Sequence, residues 1–323
     1  MDCLVSITVL IPAFRSRFLP QLLESLCIQT DKDFVVLVCD DASPDPIYEI
    51  CKVFEGRLDL EYYRFESNLG GLDLAAQWDR CLELVNSDWV IMPGDDDTLG
   101  EACIEELRAA VLSTGARFAA YKATLRGIDC NDNELYVHRP ALIEYASDRL
   151  QALISPDYHG MVIEYLFNKA RLKELGGFVS FPLGWFSDTA TWILLAGSGG
   201  IYGVEKAIAN HRMSGLNISS PRPELDSVKL NSTLMFLLWL AKHRHSLNIP
   251  NDDWLNVCRY LKWRLRLHLA KLRTTDFCRN AGSVARGVSK VQGDFWLFEL
   301  AACAKLKLEH KFMHLYSRLE KSQ

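Results

Sequence analysis

Residues Ser87 to Leu99 read SDWVIMPGDDDTL, and the change of character inside that stretch limits what the whole chain can become. Trp89 to Met92 is a short apolar run bounded by Asn86-Ser87-Asp88 and by Pro93-Gly94, the pattern of a strand buried on both faces. Three aspartates follow at its carboxyl end. Adjacent carboxylates repel one another, so Asp95, Asp96 and Asp97 require either open solvent or a cation. Oxygen-only ligands suit a hard divalent ion, Mg²⁺ or Mn²⁺, which keeps several waters and draws its other ligands from a substrate's phosphates. The plainer alternative is an acidic solvated turn in which Asp97 or Thr98 caps a helix beginning near Leu99.

The segments around this stretch repeat one scheme. Val5 to Ile11 is a β-branched run closed by Pro12-Ala13-Phe14, and the helical spacing Leu19, Leu22, Leu23, Leu26 follows. Phe34 to Cys39 is a second strand, ending in Asp40-Asp41-Ala42-Ser43-Pro44 before a helix near Ile47 to Phe54. A third strand, Leu58 to Phe65, leads through Asn68-Leu69-Gly70-Gly71 into a helix from Leu72 to Val85. After the acidic turn come a helix from Leu99 to Leu112 and a fifth strand from Arg117 to Leu125. Strands alternating with helices predict an α/β fold with a mostly parallel sheet covered on both faces. Ligands of such sheets bind at the carboxyl ends of the strands, where this chain gathers its polar residues.

Beyond residue 125 the spacing predicts a helix at Ser147 to Ile154, a strand at Met161 to Phe167, helices at Ala170 to Leu175 and Thr189 to Leu195, and short strands at Ile201 to Val204 and Ala207 to Ala209. A polar loop, Asn210 to Gly215, comes next. After Pro221-Arg222-Pro223 the pattern is helical throughout, over about 226–243, 252–272 and 295–319. The second of these helices bears two apolar stripes and two basic edges, which suits packing between partners and also admits peripheral contact with an anionic membrane. The expected division is 1–220 as an α/β domain, split near 125 into two halves, and 221–323 as a helical extension.

A net charge of −5 argues against a dedicated nucleic-acid binder, and no apolar run approaches the roughly 20 residues that span a bilayer. The ten cysteines form no CxxC pair and mostly sit inside apolar patterns, as small buried hydrophobes in a reduced cytoplasm do.

The polar edge segments, in their order, resemble the inverting family-two glycosyltransferases of GT-A fold over roughly residues 4–218. The matching pieces are ITVLIPAF from Ile7, VCDDAS from Val38, Asn68-Leu69-Gly70-Gly71 with Trp78-Asp79-Arg80-Cys81-Leu82-Glu83, GDDDTL from Gly94, Gly176-Gly177-Phe178 leading to Ser187-Asp188, and His211-Arg212-x-Ser214-Gly215-x-Asn217-Ile218-Ser219. The resemblance implies a GT-A, Rossmann-like domain with a nucleotide-sugar half (1–125) and an acceptor half (126–220). It implies transfer of a sugar from a nucleoside-diphosphate donor, UDP-linked before GDP- or dTDP-linked, to a hydroxyl of a glycan or lipid-linked glycan.

On that reading Pro12, Ala13 and Phe14 lie against the base and ribose, and Asp40 or Asp41 accepts a hydrogen bond from a pyrimidine. Asn68 and Gly70 admit the nucleotide to the backbone, Asp95 and Asp96 complete a DxD-type signature, and Asp97 with Asp95 holds Mn²⁺ or Mg²⁺. Asp188 is the general base, with a helix N-cap as the alternative. Trp185 offers an aromatic face to the acceptor, and His211 and Arg212 contact diphosphate or acceptor. Asp79 stands where many relatives have Asn. The implied setting is the cytoplasm or the inner face of the membrane, with self-association open.

Competing readings fare worse. A haloacid-dehalogenase phosphatase would need its nucleophilic Asp where this chain has Gly94, and a dinucleotide-dependent dehydrogenase would need GxGxxG where it has Pro12-Ala13-Phe14-Arg15-Ser16. A nucleotidyltransferase would need a Gly-rich basic loop at that same place. The non-enzymatic alternative is a nucleotide-sugar-binding or scaffold subunit, against which retention of the acidic triplet and Asp188 weighs.

Overall fold

The computed structural model describes residues 5–155, 160–197, 199–215, 218, 222–272, 274–292, 304 and 307. Two compact units result, Met1–Ser180 with Ser187–Ile218, and Phe181–Phe186 with Ser219–Gln323.

The first unit is an α/β sandwich. In chain order it comprises β1 (Ile7–Ala13), α1 (Leu19–Cys27), β2 (Val35–Asp40), α2 (Ile47–Lys52), β3 (Leu60–Arg64), α3 (Leu74–Leu82), β4 (Trp89–Ile91), β5 (Thr98–Leu99), α4 (Cys103–Ser113), β6 (Ala120–Ile128), β7 (Glu134–His138), β8 (Ile143–Glu144), α5 (Ala146–Ile154), β9 (Tyr165–Asn168), α6 (Lys169–Glu174), α7 (Ser187–Ala196) and β10 (Ile201–Arg212). The main strand order is β3-β2-β1-β4-β9-β6-β10-β5, with β7 and β8 paired to β6 and β10. Strands β3, β2, β1 and β4 run parallel, and β9 enters antiparallel between β4 and β6. The apolar run of β1 is buried because neighbouring strands flank it on both edges and helices cover both faces.

Three local features depart from the sequence expectation. Thr98 and Leu99 do not begin a helix; they form β5, paired with Asn210 and Ala209, and α4 starts only at Cys103. The two short strands expected after Ile201 are one strand of 12 residues, irregular between Val204 and Ile208. That strand continues through His211 and Arg212, whereas the sequence pattern predicts a polar loop there.

Asp79, the departure from Asn, ties α3 to the turn at Gly176-Gly177-Phe178. Its Oδ1 accepts the Phe178 N–H at 3.0 Å, and the Trp78 and Phe178 rings meet edge to face at 5.0 Å. Gly177 has φ +87°, and a Cβ there would lie 2.7 Å from the Asp79 carboxylate oxygens. Glycine is required on both counts.

The second unit is helical, with α8 (Asp226–His243), α9 (Asn251–Lys271) and α10 (Thr274–Gln292). The first stripe of α9, including Val257, Cys258, Leu261, Leu265 and Leu269, is buried, whereas Trp263 of the second is 54% exposed. Phe181–Phe186 belongs with these helices: Phe186 stacks on Phe236 at 4.5 Å, and Ser232 Oγ donates to the Pro182 carbonyl at 2.8 Å. Among the described residues no helix is long and apolar enough to cross a membrane. Of the helix expected at 295–319 only residues 304 and 307 are described, and Asn217 and Ser219 lie outside the described residues.

Gly177→Ala is expected to cost about 2 kcal/mol or more, because positive φ and the Asp79 contact add. Asp79→Asn keeps an acceptor for Phe178 and is expected to cost less than about 1 kcal/mol. Denaturant midpoints for the two variants check this pair.

Candidate active site

The carboxyl ends of β1, β2 and β4 and the end of β10 bring most of the expected residues together. Asp95 follows β4 and its Oδ2 accepts the N–H groups of Phe14 and Arg15, at 2.8 and 2.7 Å, in the turn after β1. Asp96 Oδ2 accepts the Ser214 hydroxyl at 2.6 Å. Asp97 is buried: its Oδ1 lies 3.1 Å from His211 Nδ1 and accepts the Arg212 N–H at 3.1 Å, while its Oδ2 accepts the Gly94 N–H at 2.9 Å.

This crowding shifts protonation. Burial first, then the charge of Asp97, pushes the Asp96 carboxyl up to about 6. Burial also raises Asp95, offset in part by the Phe14 and Arg15 N–H donors. For His211 burial acts downward, but the bond to Asp97 and the charges of Asp97 and Asp96 outweigh it and hold the imidazole above its ordinary value.

Arg212 is a buried clamp. Its Nε donates to the Asp96 carbonyl at 2.9 Å and its Nη1 to the Asp129 carbonyl at 2.9 Å, Nη2 pairs with Asp132 at 2.7 Å, and the guanidinium lies 4.6 Å over Phe18. It joins the acidic turn to the β6–β7 hairpin.

The acids after β2 are also engaged. Asp40 Oδ1 accepts the Ser43 N–H at 2.7 Å, and Oδ2 accepts the Tyr62 hydroxyl at 2.6 Å together with the Arg64 guanidinium. Asp41 Oδ1 accepts from Leu69 N–H at 2.8 Å and Arg80 at 2.6 Å; its Oδ2 accepts from Asn68 Nδ2 at 2.9 Å and Gly70 N–H at 2.8 Å. A Cβ on Gly70 would meet that same oxygen at 2.8 Å, so Asp41 itself demands glycine there. Ala42 between the acids takes φ +53°. Ala13 is buried, and Phe14 is 38% exposed with its carbonyl accepting from Ser43 Oγ at 2.6 Å. Pro12 is half-buried.

Asp188 stands inside the first turn of α7, whose first residue is Ser187, so it is not the residue preceding the helix. Its Oδ1 accepts the Thr189 N–H at 2.7 Å. Burial raises its pKa, tempered by the Thr189 N–H and by the charge of Arg149. Trp185 falls in the helical unit, where Lys229 Nζ lies 4.6 Å and the Arg264 guanidinium 5.6 Å from its ring centroid. A cleft of about 870 Å³ opens between α1 and the β5–β10 edge and is lined by none of the triplet.

Tyr62, Arg64, Arg80 and Ser214 hold the site residues, yet none was singled out from sequence. Tyr62 and Arg64 alternate on β3 and Arg64 pairs in register with Asp40, which only the parallel offset reveals. Arg80 and Ser214 belong to the family-like segments around Trp78–Glu83 and His211–Gly215.

A divalent ion fits the triplet's charge, since burial first and then the charges of Asp97 and Asp95 raise the Asp96 carboxyl to about 6, a strain that a cation would relieve. Among the described residues no group of three or more His, Cys, Asp or Glu is arranged to hold a metal. Such an ion would therefore depend on water and substrate oxygens for most of its ligands.

The family model described as glycosyl transferase family 2 matches residues 8–171. The chain belongs to this family. It is a glycosyltransferase, and its sheet and helical portion match solved glycosyltransferases of GT-A fold. S. aureus TarS 1-349, solved in complex with UDP-GlcNAc, is 14% identical, with a TM-score of 0.63 over 97% of this chain and 92% of that one. The mannosyltransferase PcManGT from Pyrobaculum calidifontis, in complex with GDP-Man and Mn2+, is 14% identical, with a TM-score of 0.53 over 94% and 86%. No curated protein matched the glycosyltransferase by sequence.

Asp41→Ala would leave Arg80 and three further N–H donors around an emptied buried position. We expect a loss of about 3 kcal/mol, measured as a lowered denaturation midpoint, against about 1 kcal/mol for the more exposed Asp45→Ala.

Proposed function

We propose that this glycosyltransferase transfers a hexose with inversion from a UDP-linked donor to a hydroxyl of a glycan or lipid-linked glycan, with a divalent metal at the acidic turn and Asp188 as base. The observation that carries the reading is the triplet at the sheet's carboxyl edge, whose middle carboxylate is raised to about 6 by burial and by its neighbours' charge. A donor diphosphate and its cation would neutralise each other at such a place. The TarS complex with UDP-GlcNAc and the mannosyltransferase complex with GDP-Man and Mn2+ support a nucleotide-sugar donor and a metal. The eight described cysteines are all free, in keeping with a cytoplasmic enzyme.

Each residue then has a task. Pro12, Ala13 and Phe14, with the Asp40, Asp41, Asn68 and Gly70 lattice, shape the nucleotide pocket. Asp96 and the second oxygen of Asp95 hold the metal. Asp97, expected from sequence to be its main ligand, joins them and also orders the turn, where its two oxygens accept from Gly94, His211 and Arg212. The bound ion supplies neutralisation of charge on the departing diphosphate. Residues 126–220 form the acceptor half, and residues 221–323 carry no catalytic carboxylate. Asp188 removes the proton from the attacking hydroxyl, and its raised pKa improves it as a base.

UDP at 100 times its dissociation constant should stabilise the protein by about 2.7 kcal/mol in Mn²⁺. That gain should disappear in EDTA or in Asp96→Asn. Equal stabilisation in EDTA would overturn the metal assignment.

Asp188→Asn should lower transfer by about 10²- to 10⁴-fold. UDP affinity in Mn²⁺ should change less than about threefold, under 1 kcal/mol. Because burial raises the Asp188 pKa, wild-type transfer should fall on acidification at a pH above the ordinary carboxylate value of about 3.9, as the base becomes protonated. The Asn variant should lack that acid limb. Wild-type turnover in the Asn variant would remove Asp188 from the mechanism.

A further inference from the structure

The end of β10 meets the acidic turn at a second place, Asn210. This residue is buried, and its backbone pairs in register with Thr98 of β5 on one side and with Arg126 of β6 on the other. Its side chain bridges the same two strands: Oδ1 accepts from Arg126 Nε at 2.7 Å, and Nδ2 donates to Thr98 Oγ1 at 3.1 Å. A guanidinium can only donate, so Arg126 fixes which end of the amide faces Thr98.

Side chains two apart on a strand share a face, which puts Asn210 beside Arg212. Arg212 Nε holds the Asp96 carbonyl at 2.9 Å, and Asn210 holds the Thr98 hydroxyl. The two neighbours of Asp97 are therefore gripped by one face of one strand, while Asp97 itself accepts the Arg212 N–H and lies 3.1 Å from His211 Nδ1. The further anchors of this segment act beyond Thr98: the Leu99 N–H donates to Ser25 Oγ at 3.1 Å, and the Gly100 N–H to the Ile208 carbonyl at 2.9 Å. Strand β5 pairs through Thr98 and Leu99 alone. Among the described residues, the bond from Asn210 is what fixes the Thr98 side chain.

We propose that Asn210 is a positioning residue for the divalent ion of the acidic turn: oriented by Arg126, it fixes Thr98 and thereby the place of Asp97. This inference rests on the metal reading of the triplet. A hard cation needs its oxygen ligands in set positions, so a turn free to shift binds it less tightly. Hydrogen bonds to a metal's ligands typically carry about 10- to 100-fold in metal affinity, and Asn210 acts one residue farther out, so its loss should weaken binding by about three- to tenfold.

The test measures Mn²⁺ uptake by the full-length protein in saturating UDP, from loss of the free-ion electron paramagnetic resonance signal against a UDP-only blank. Thermal unfolding without metal is recorded beside it. Asn210→Ala and Thr98→Val delete the bond, whereas Thr98→Ser keeps the hydroxyl. Asn210, Thr98 and Arg126 line the cleft of about 870 Å³ beside α1, so water can take the place of the deleted amide and the variant should fold. Thr124→Val is the control: it removes another bond between β6 and β10, from Thr124 Oγ1 to the Glu205 carbonyl at 2.7 Å, without touching β5. Asn210→Ala and Thr98→Val should weaken Mn²⁺ binding about three- to tenfold, and Thr98→Ser and Thr124→Val less than about twofold, whatever their unfolding temperatures. Unchanged Mn²⁺ affinity in either bond-deleting variant, or an equal loss in Thr124→Val, would overturn the positioning assignment and leave the metal site standing. A wild-type protein that takes up no Mn²⁺ with UDP would instead overturn the metal reading, and the assignment with it.

Discussion

Asp97 buries its carboxylate at the carboxyl edge of the sheet and surrounds it with N–H donors, one from Gly94 in its own turn and two groups from the end of β10. Breaking a buried charge pair typically costs about 3 to 5 kcal/mol, so this arrangement dictates where β10 must end and what it must carry there. Asp95 imposes the same demand on the turn after β1, drawing the Phe14 and Arg15 N–H groups toward it. Two acids, Asp97 buried and Asp95 half-buried, thereby join three strand ends that are distant in sequence. Asp96, between them, is left where burial and both neighbours disfavour its charge, and that is the property a cation-assisted transfer would exploit.

The parts of this fold that were legible in sequence are those whose signal is local. The apolar runs of β1, β2 and β4 and the spacing of α1 and α9 declare themselves because each element's burial is written in its own residues. What escaped depends on partners elsewhere. Thr98 and Leu99 looked like a helix start after an acidic cap, yet pairing with Asn210 and Ala209 draws them into the sheet. His211 and Arg212 looked like loop residues because they are polar, but their charges are answered inside the site, so the strand runs on through them. Phe181–Phe186 carried no sign that its aromatic side chains belong with α8; the stacking of Phe186 on Phe236 supplies the reason.

The acids after β2 show that residues of a recognised motif also carry a structural task. Asp40 and Asp41 read as ligands, and their oxygens also accept from Tyr62, Arg64, Ser43, Asn68, Arg80 and the backbone of the Asn68–Gly70 turn. Their first effect is to fix the walls of the proposed nucleotide pocket. Preorganised walls lower the ordering cost that binding would otherwise carry. The left-handed backbone at Ala42, strained for a residue with a Cβ, persists because so many bonds fix the residues on either side of it.

Helix α3 connects this lattice to the loop before α7. Arg80 on its last turn binds Asp41, Asp79 binds the Phe178 N–H, and Asp73 at its start both caps the helix through Ala76 and accepts from Ser180 Oγ at 3.0 Å. Val179 between these anchors donates to Thr191 Oγ1 on α7 at 3.0 Å. The same rigid element therefore grips the proposed nucleotide pocket with one set of side chains and the approach to Asp188 with another. A change that loosened α3 would disturb donor binding and the base together, whereas one confined to Asp188 would touch the base alone. Separable effects at Asp188 and inseparable ones at Arg80 or Asp79 are what contiguous bonding through a single helix requires, since a shift at one end of a hydrogen-bonded helix cannot be absorbed without moving the other.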